Sequence, residues 1–354
     1  MNNQHWRYVP PLARHCGAVL ALACATTAAA SGIAPATAQD AAAHTTQAIL
    51  RPAATVAHAA QANMLAAAWA GQRAVAVGAH GVILLSDDQG RTWRQAARVP
   101  VDATLTAVSF AGDREGWAVG HAGVVLHTRD GGEQWELQRS APEQDRPLFS
   151  VHFFDRERGV AVGLWSLVLT TGDGGRSWTE RQPDAPPGSR RADLNLYGLF
   201  TGPRAGAGPD GALYAAAEKG YVLKSEDQGH TWTYLATGQR GSLWAGAVLP
   251  DGVLLAGGLR GALLRSTDGG RHWSRIAGAG AASITSLVAT GSGSDGVLAV
   301  GQDGLILRSI DGGATFQASH RQDRLPLNAA LPMAGFTPPL MSARGPAQPE
   351  GRAR

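Results

Sequence analysis

Cysteine is nearly absent from this sequence of 354 residues, which contains only Cys16 and Cys24. Both precede the residue at which we expect the mature chain to begin, so the mature protein is predicted to lack cysteine. Disulfides, thiol nucleophiles and thiolate metal sites are thereby excluded, and stability is expected to come from packing. An alternative interpretation acylates Cys24 as the first residue of a lipoprotein, although Ala21 stands where such signals usually carry leucine.

Long apolar runs are absent as well. The apolar stretch over residues 17–30 is interrupted by Cys24, Thr26 and Thr27, and it falls short of the roughly 20 apolar residues of a transmembrane helix. Arg7 and Arg14 precede this stretch, and an A-x-A signal follows it at residues 36–38. This order predicts a signal peptide over residues 1–38, cleaved after Ala38, and a periplasmic or secreted mature protein.

The sequence also lacks a large excess of charge of either sign. The formal net charge is +3, and the sequence contains no dense run of lysine and arginine. Proteins that bind nucleic acid through its phosphates usually carry a concentrated basic patch. We therefore expect no nucleic-acid partner.

What the sequence does contain is one eight-residue motif, here called the phrase, repeated six times. It consists of serine or threonine, any residue, aspartate, any residue, glycine, two more residues and an aromatic residue. The copies are SDDQGRTW (86–93), TRDGGEQW (128–135), TGDGGRSW (171–178), SEDQGHTW (225–232), STDGGRHW (266–273) and SIDGGATF (309–316). Successive aspartates are separated by 42, 43, 54, 41 and 43 residues. A nearly constant period predicts an array of equivalent supersecondary units.

Each phrase has the composition of a tight turn between two strands. The aspartate can accept backbone amides within the turn, the glycine can adopt positive φ, and the aromatic residue can cover the turn. A repeated motif more often builds the repeat unit than duplicates a site, so we assign these turns a structural role and expect neither metal nor cofactor. The structural aspartates are Asp88, Asp130, Asp173, Asp227, Asp268 and Asp311.

Four short β-rich runs occupy each period. In the second period they are LTAVSF (105–110), GWAVG (116–120), GVVLHT (123–128) and WELQ (135–138), separated by turn residues. Four strands per period are typical of a propeller blade. We therefore predict an all-β propeller of four-stranded blades over residues 65–333, in which the phrase joins the third strand to the outermost fourth strand.

The phrase resembles the Asp-box, or BNR repeat, of sialidase-like propellers. The combination of VG, two residues, G, three or four apolar residues and then S-x-D-G-G-x-T-W is similar to the bacterial relatives of the photosystem II stability and assembly factor family. The resemblance covers about residues 48–330, and its specific part is the six-fold repetition with the preceding VGxxG pattern. It implies a seven-bladed ring whose last blade is shared between the termini, and a non-enzymatic role in assembly.

Closure of the ring is the open question, because six complete phrases leave six blades as the alternative. The segment LPLNAALPM (325–333) is interpreted as the first strand of the shared blade, and RPAATVA (51–57), within a lead-in over residues 39–64, as its outer strand. The VGxxG pattern expected next is missing. Residues 334–354, rich in glycine, proline and arginine, are predicted to be a disordered tail.

Candidate binding residues lie on the turns between the second and third strands and on the links between blades, which share the face opposite the Asp-boxes. We expect this face to be basic with one exposed aromatic residue, a composition typical of protein interfaces. The alternative is that cations occupy turns because turns are exposed to solvent, and that Trp165 packs against its own blade. The set is His80, His121, Trp165, Lys219, Arg260, Arg146, Arg240 and Arg324.

Catalysis is not expected. A sialidase needs an arginine triad, a tyrosine nucleophile activated by a glutamate and an acidic aspartate. The arginine, isoleucine, proline signature is absent, and most aspartates belong to the Asp-boxes. The remaining alternatives are a sialidase-like glycosidase and a carbohydrate-binding propeller without catalysis, in which Trp165 and Trp244 stack a sugar.

Together with the resemblance, these considerations favour an exported, non-enzymatic propeller that binds another protein. The expected role is to aid assembly or stability of a membrane or periplasmic complex, and a transporter is one candidate client.

Overall fold

The computed structural model describes residues 51–202, 211–278, 280–290, 296–333 and 338–347. The predicted signal peptide, its cleavage after Ala38 and the alternative acylation of Cys24 lie outside these ranges. Within them the chain is all β apart from single 3₁₀ turns, and no helix is long and apolar enough to span a membrane.

The strands form seven antiparallel sheets in the described ranges, and each strand pairs with its neighbour in sequence. Blade 1 contains β1 (Met64–Ala70), β2 (Arg73–Gly78), β3 (Ile83–Ser86) and β4 (Arg94–Gln95). Blade 2 contains β5 (Leu105–Ala111), β6 (Glu115–Gly120), β7 (Val125–Thr128) and β8 (Glu136–Arg139). Blade 3 contains β9 (Leu148–Phe153), β10 (Gly159–Gly163), β11 (Val168–Thr171) and β12 (Thr179–Arg181).

The same order continues through the second half of the chain. Blade 4 contains β13 (Leu196–Thr201), β14 (Leu213–Ala217), β15 (Tyr221–Ser225) and β16 (Thr233–Ala236). Blade 5 contains β17 (Leu243–Val248), β18 (Leu254–Gly258), β19 (Leu263–Ser266) and β20 (Ser274–Arg275). Blade 6 contains β21 (Ile284–Ala289), β22 (Val297–Gly301), β23 (Leu305–Ser309) and β24 (Gln317–His320), and blade 7 contains β25 (Leu327–Ala330), β26 (Leu340–Ser342) and β27 (Gly345–Ala347).

Short 3₁₀ turns complete the described elements. Six join the second and third strands of blades 1 to 6, one precedes β1 and one lies in the link before β9. They are Ala59–Gln61, Ala79–Gly81, His121–Gly123, Pro142–Gln144, Leu164–Ser166, Glu218–Gly220, Leu259–Gly261 and Gln302–Gly304.

The first strands of the blades surround a central axis. Each of them contacts the first strand of the next blade, from β1 through β5, β9, β13, β17 and β21 to β25, and β25 contacts β1. The ring is therefore closed, and the prediction of an all-β propeller with seven blades is confirmed.

Apolar side chains between the blades form the core. Both faces of the second and third strands are covered by neighbouring blades, so these strands are buried almost without interruption. Between blades 2 and 3 the ring of Trp117 stacks on that of Phe153 with centroids 3.5 Å apart, and Trp117 is fully buried. A buried aromatic pair of this kind contributes apolar burial and about 0.5–1.5 kcal/mol of ring interaction beyond it.

The Asp-box turns have the predicted structure. Ser86 Oγ donates to Asp88 Oδ1 at 2.8 Å and accepts the Gly90 amide at 2.7 Å, while the Thr92 amide donates to Asp88 Oδ1 at 2.9 Å. Trp93 Nε1 donates to the Gly90 carbonyl at 3.0 Å. The hydroxyl-to-aspartate bond recurs in the other five boxes at 2.7–2.9 Å. Every box lies between the third and fourth strands of its blade, as predicted.

Blade 7 confirms one expectation and corrects another. The segment LPLNAALPM provides β25, the first strand, as predicted. Regular structure was expected to end near Met333, but residues 340–347 of the predicted tail form β26 and β27, joined by a tight turn in which Ser342 Oγ donates to the Gly345 carbonyl at 2.7 Å. Both strands have three residues, and Pro346 lies in the outer one, so the usual sequence signal of a strand is missing.

The segment 51–57 does not form the outer strand of this blade. It lies along blade 1, where the Ala53 amide donates to the Val99 carbonyl at 3.0 Å and Gln95 Nε2 donates to the Ala54 carbonyl at 2.8 Å. The following 3₁₀ turn, Ala59–Gln61, packs against β27 instead. Gly345 of β27 lies against the carbonyl oxygen of Ala60 so closely that a Cβ there would collide with it. The N-terminal segment thus covers the closing blade with a turn rather than a strand.

Candidate functional site

Six turns on one face of the ring each present one side chain from the left-handed backbone conformation. The central residue of each 3₁₀ turn between second and third strands has φ between 53° and 58°. A non-glycine residue there costs about 1–3 kcal/mol, so the surrounding structure must hold it. The central residues are His80, Ala122, Trp165, Lys219, Arg260 and Asp303.

Hydrogen bonds to the links between blades hold these turns. The first turn residue donates its amide to the carbonyl of the residue before the first strand of its blade, as Leu259 does to Ser242 at 2.9 Å. The equivalent bond occurs in the other five turns at 2.9–3.1 Å. Turns and links therefore form one surface, the turn face, opposite the Asp-boxes. The prediction that they share a face is confirmed.

The turn face is not uniformly basic, contrary to the sequence-based expectation. In blade 1, His80 Nδ1 lies 3.3 Å from the carboxylate of Asp102. In blade 6, the guanidinium group of Arg324 lies 2.7 Å from the carboxylate of Asp303. Acidic residues of the turns and links thus partner the candidate cations of these blades, which the expectation did not take into account.

Blades 4 and 5 differ in this respect. The side chains of Lys219, Arg240 and Arg260 are exposed, and none has an ion pair or a side-chain hydrogen bond with any residue that the structure describes. Arg146, in the link between blades 2 and 3, is by contrast mostly covered and pairs with Glu180 at 2.7 Å. Uncompensated positive charge is therefore concentrated in one sector of the turn face.

The exposed aromatic residue expected on this face is Trp165. Its side chain is 55% exposed, and it is the one exposed aromatic residue in the described part of the chain. His121 is exposed as well, but it is the first residue of its turn, in blade 2, and Ala122 takes the central position. The structure thus places Trp165 in blade 3, next to the sector that carries the unpaired cations, and places His80, His121 and Arg324 away from it.

Asn195, in the link before β13, connects the turns of blades 3 and 4. Its Oδ1 accepts the amide of Trp165 at 3.1 Å, and its Nδ2 donates to Glu218 Oε1 at 2.9 Å. Its own amide donates to Glu218 Oε2 at 3.2 Å. The Glu218 carboxylate thus accepts bonds from Asn195 and Tyr197, and it forms no ion pair with Lys219. Ser283, at the equivalent position before β21, joins the turns of blades 5 and 6: its Oγ accepts the amide of Arg260 at 3.1 Å, and its carbonyl accepts the amide of Gln302 at 2.9 Å.

One element of glycosidase chemistry is present in this region. The hydroxyl of Tyr197 lies 3.1 Å from Glu218 Oε1. Burial, the largest influence, raises the pKa of Tyr197, which opposes its use as a nucleophile. No arginine within the described ranges bonds to either side chain, and no group of three potential metal ligands occurs there.

The fold and the box geometry define a class: the protein is a seven-bladed Asp-box, or BNR, β-propeller. Residues 95–191 match the family model described as photosynthesis system II assembly factor YCF48. The matched range covers blades 2 and 3, including Trp165, and ends before Lys219, Arg240 and Arg260. The resemblance to this family that the repeats indicated is confirmed.

Two solved structures share the architecture. The chain resembles a structure titled YCF48 bound to D1 peptide, with a TM-score of 0.65 and 20% identity over 81% of this chain and 92% of that one. It also resembles YCF48 from Cyanidioschyzon merolae, with a TM-score of 0.64 and 18% identity over 81% of this chain and 94% of that one. At these identities the likeness concerns the fold. No curated protein sequence matches the chain.

Proposed function

We propose that this protein is an exported, non-enzymatic propeller that binds another protein through its turn face. The observation that carries the proposal is the juxtaposition of the exposed Trp165 with the unpaired cations Lys219, Arg240 and Arg260. An aromatic anchor beside arginine is the composition of binding hot spots, and unpaired surface cations steer an acidic partner.

The comparisons support a protein partner. One structural relative is a YCF48 protein bound to a D1 peptide, and the matching family is described as an assembly factor. On this basis we propose that this chain has a role in the assembly or stability of a protein complex. Because a signal peptide is predicted, the proposed complex is periplasmic or membrane-bound, and a periplasmic domain of a transporter is one proposed client.

The glycosidase alternative receives less support. The Tyr197–Glu218 pair is shared with Asn195, and the raised pKa of Tyr197 favours its protonated form. A fluorogenic sialoside assay separates the two functions. If the wild-type chain hydrolyses the sialoside and Tyr197→Phe does not, a glycosidase function would replace the binding proposal.

The binding proposal is tested by capture. The tagged mature chain is incubated with periplasm and with solubilised membrane, cross-linked, and the captured proteins are identified by mass spectrometry. A partner that is then purified should bind the wild-type chain directly, and added salt should weaken binding because screening reduces attraction between exposed charges. Failure of every purified candidate to bind the wild-type chain would refute the proposal.

A further inference from the structure

A β-bulge recurs in the first strand of every blade. In blade 5, for example, Leu243 pairs with Gly258 and Ala245 with Gly257, so Trp244 is the extra residue. The equivalent irregularity occurs at the second residue of all seven first strands. The seven residues, which we call the bulge ring, are Leu65, Thr106, Phe149, Tyr197, Trp244, Thr285 and Asn328.

The bulge ring lies at the turn-face end of the central channel. The first strands surround the axis, and each begins beside the carbonyl that accepts the amide of its turn. A bulge re-aims its side chain away from the regular alternation of a strand. All seven side chains are partly exposed, whereas the residue before each of them is buried. The sequence thus places seven accessible side chains around one opening.

Three members of the ring are used to join blades. Thr106 Oγ1 donates to the Leu148 carbonyl of the next blade at 2.6 Å, and Thr285 Oγ1 donates to the Leu327 carbonyl at 2.7 Å. Asn328 Nδ2 donates to the carbonyl of Met64 in blade 1 at 2.9 Å. A structural role therefore accounts for Thr106, Thr285 and Asn328.

The aromatic members are Phe149, Tyr197 and Trp244, and they occupy three consecutive blades. Phe149 and Tyr197 stack with centroids 5.6 Å apart at an interplanar angle of 24°. Gly198 allows β13 to approach the carbonyl oxygen of Trp244 where a Cβ would collide with it. Phe149 has no polar group, and Trp244 Nε1 donates to no residue that the structure describes, so the inter-blade bond of Thr106 and Thr285 does not account for these two residues.

This aromatic arc lies on blades 3, 4 and 5, the blades that carry Trp165, Lys219 and Arg260, with Arg240 in the link between the last two. Elsewhere on the turn face, Asp102 and Asp303 compensate neighbouring cations. Two independent features, apolar area at the channel mouth and unpaired positive charge around it, therefore coincide in one sector.

We propose that the aromatic arc of the bulge ring receives an aromatic or large aliphatic side chain from an extended, acidic segment of the partner protein, whose carboxylates pair with Lys219, Arg240 and Arg260. This inference rests on the proposed function and specifies where the partner is anchored. Charge complementarity selects the acidic segment, and burial of an apolar side chain against the three rings supplies affinity.

The test uses random peptides displayed on phage and selected against the mature propeller. Enriched peptides should combine acidic residues with one aromatic or large aliphatic residue. A synthetic copy of an enriched peptide, labelled with fluorescein, is then titrated by anisotropy. Trp244→Ala should weaken its binding at least ~10-fold, as loss of a hot-spot anchor does, whereas the matched change Leu65→Ala, at the same bulge in blade 1, should alter it less than ~2-fold.

A second readout separates loss of the contact from loss of the fold. Replacing the apolar residue of the peptide by serine should weaken binding to the wild-type chain but not to Trp244→Ala, because the two changes remove one interaction. If Lys219→Glu with Arg260→Glu weakens binding and Trp244→Ala does not, the arc is not the anchor, although the turn face remains the binding surface.

Two other results also overturn the proposal. If the enriched peptides bind equally well after Lys219→Glu with Arg260→Glu and after Trp244→Ala, both the proposed function of the turn face and the proposed anchor are refuted. Binding of neutral glycans on an array, lost in Trp244→Ala, with no peptide enriched, would make the arc a sugar platform instead.

Discussion

The main-chain amide of Trp165 donates to Oδ1 of Asn195 at 3.1 Å, across the boundary between blades 3 and 4. This bond holds a bulky residue at φ 53° on the most exposed aromatic position of the turn face. Since Asn195 also bonds Glu218, the same side chain fixes the turn that presents Lys219. Trp165 and the neighbouring cation Lys219 are therefore positioned together.

Asn195→Ala is expected to loosen both turns. The variant removes the acceptor of the Trp165 amide and a donor to Glu218, so it should lower the free energy of unfolding by about 1–3 kcal/mol. Hydrogen exchange should accelerate at residues 164–166 and 218–220 and not in other blades. Asp193→Ala, an exposed change two residues earlier, is the control and should leave exchange unchanged.

Asp173→Ala tests the structural role of the Asp-boxes. The carboxylate accepts the Ser177 amide at 2.9 Å, the Ser177 hydroxyl at 2.6 Å and the Thr171 hydroxyl at 2.9 Å. Losing these acceptors should cost about 1–3 kcal/mol of unfolding free energy, measured by urea denaturation. The control Asp184→Ala removes an exposed aspartate with no side-chain partner in the described ranges. Equal stability of the two variants would contradict the assigned role.

Acid should destabilise the propeller through the same turns. The amide and hydroxyl of Thr92, followed by the Ser86 hydroxyl, lower the pKa of Asp88 from 3.8 to about 2, and the hydroxyl and amide of Ser177 lower that of Asp173 to about 2. A carboxylate whose pKa is lower in the folded state contributes stability in full above about pH 4, and this is lost as the pH falls through about 2. Melting temperatures measured across this window should decline, and less steeply in Asp88→Asn with Asp173→Asn. Identical declines would contradict the linkage.

Gly345→Ala should weaken closure of the ring. Gly345 has φ +92°, and a Cβ there would collide with the carbonyl oxygen of Ala60. Gly112 also has φ +92° but faces open space, so Gly112→Ala carries the same backbone strain without the collision. Thermal melting should show a larger loss for the first variant, accompanied by faster proteolysis near residues 51–62. If both variants lose the same stability, the N-terminal turn does not support blade 7.

The sequence predicted the elements that repeat. Asp-boxes such as that of Asp88 and the turns at His80 and Arg260 lie where periodicity placed them, because each is determined by a local pattern. The strand LPLNAALPM lies where the resemblance to a seven-bladed family placed it. The short strands β26 and β27 escaped prediction, since they depend on tertiary pairing and contain Pro346.

The candidate site was predicted less completely. The candidates included the central turn residues of blades 1, 3, 4 and 5 but named His121 rather than Ala122 in blade 2. Their charges could not be weighed, because Asp102, the partner of His80, and Asp303, the partner of Arg324, lie in other segments of the chain. The bulge ring was missed although a signal exists. Aligning the second residues of the first strands would have shown Phe149, Tyr197 and Trp244 in consecutive repeats.

The central claim, that the turn face of blades 4 and 5 binds an acidic partner, is tested most directly by charge reversal on opposite faces. Lys219→Glu with Arg260→Glu is compared with Arg91→Glu with Arg271→Glu, which changes the net charge equally at exposed positions of the Asp-box turns. Both variants should melt close to the wild-type temperature, because exposed unpaired charges contribute little to folding.

The measurement is quantitative capture of cross-linked proteins from periplasm and solubilised membrane by the wild-type chain and both double variants. The account predicts that partners captured by the wild-type chain are lost with Lys219→Glu and Arg260→Glu and are retained with Arg91→Glu and Arg271→Glu. Capture that survives the first pair of substitutions, or fails equally with both pairs, would contradict it.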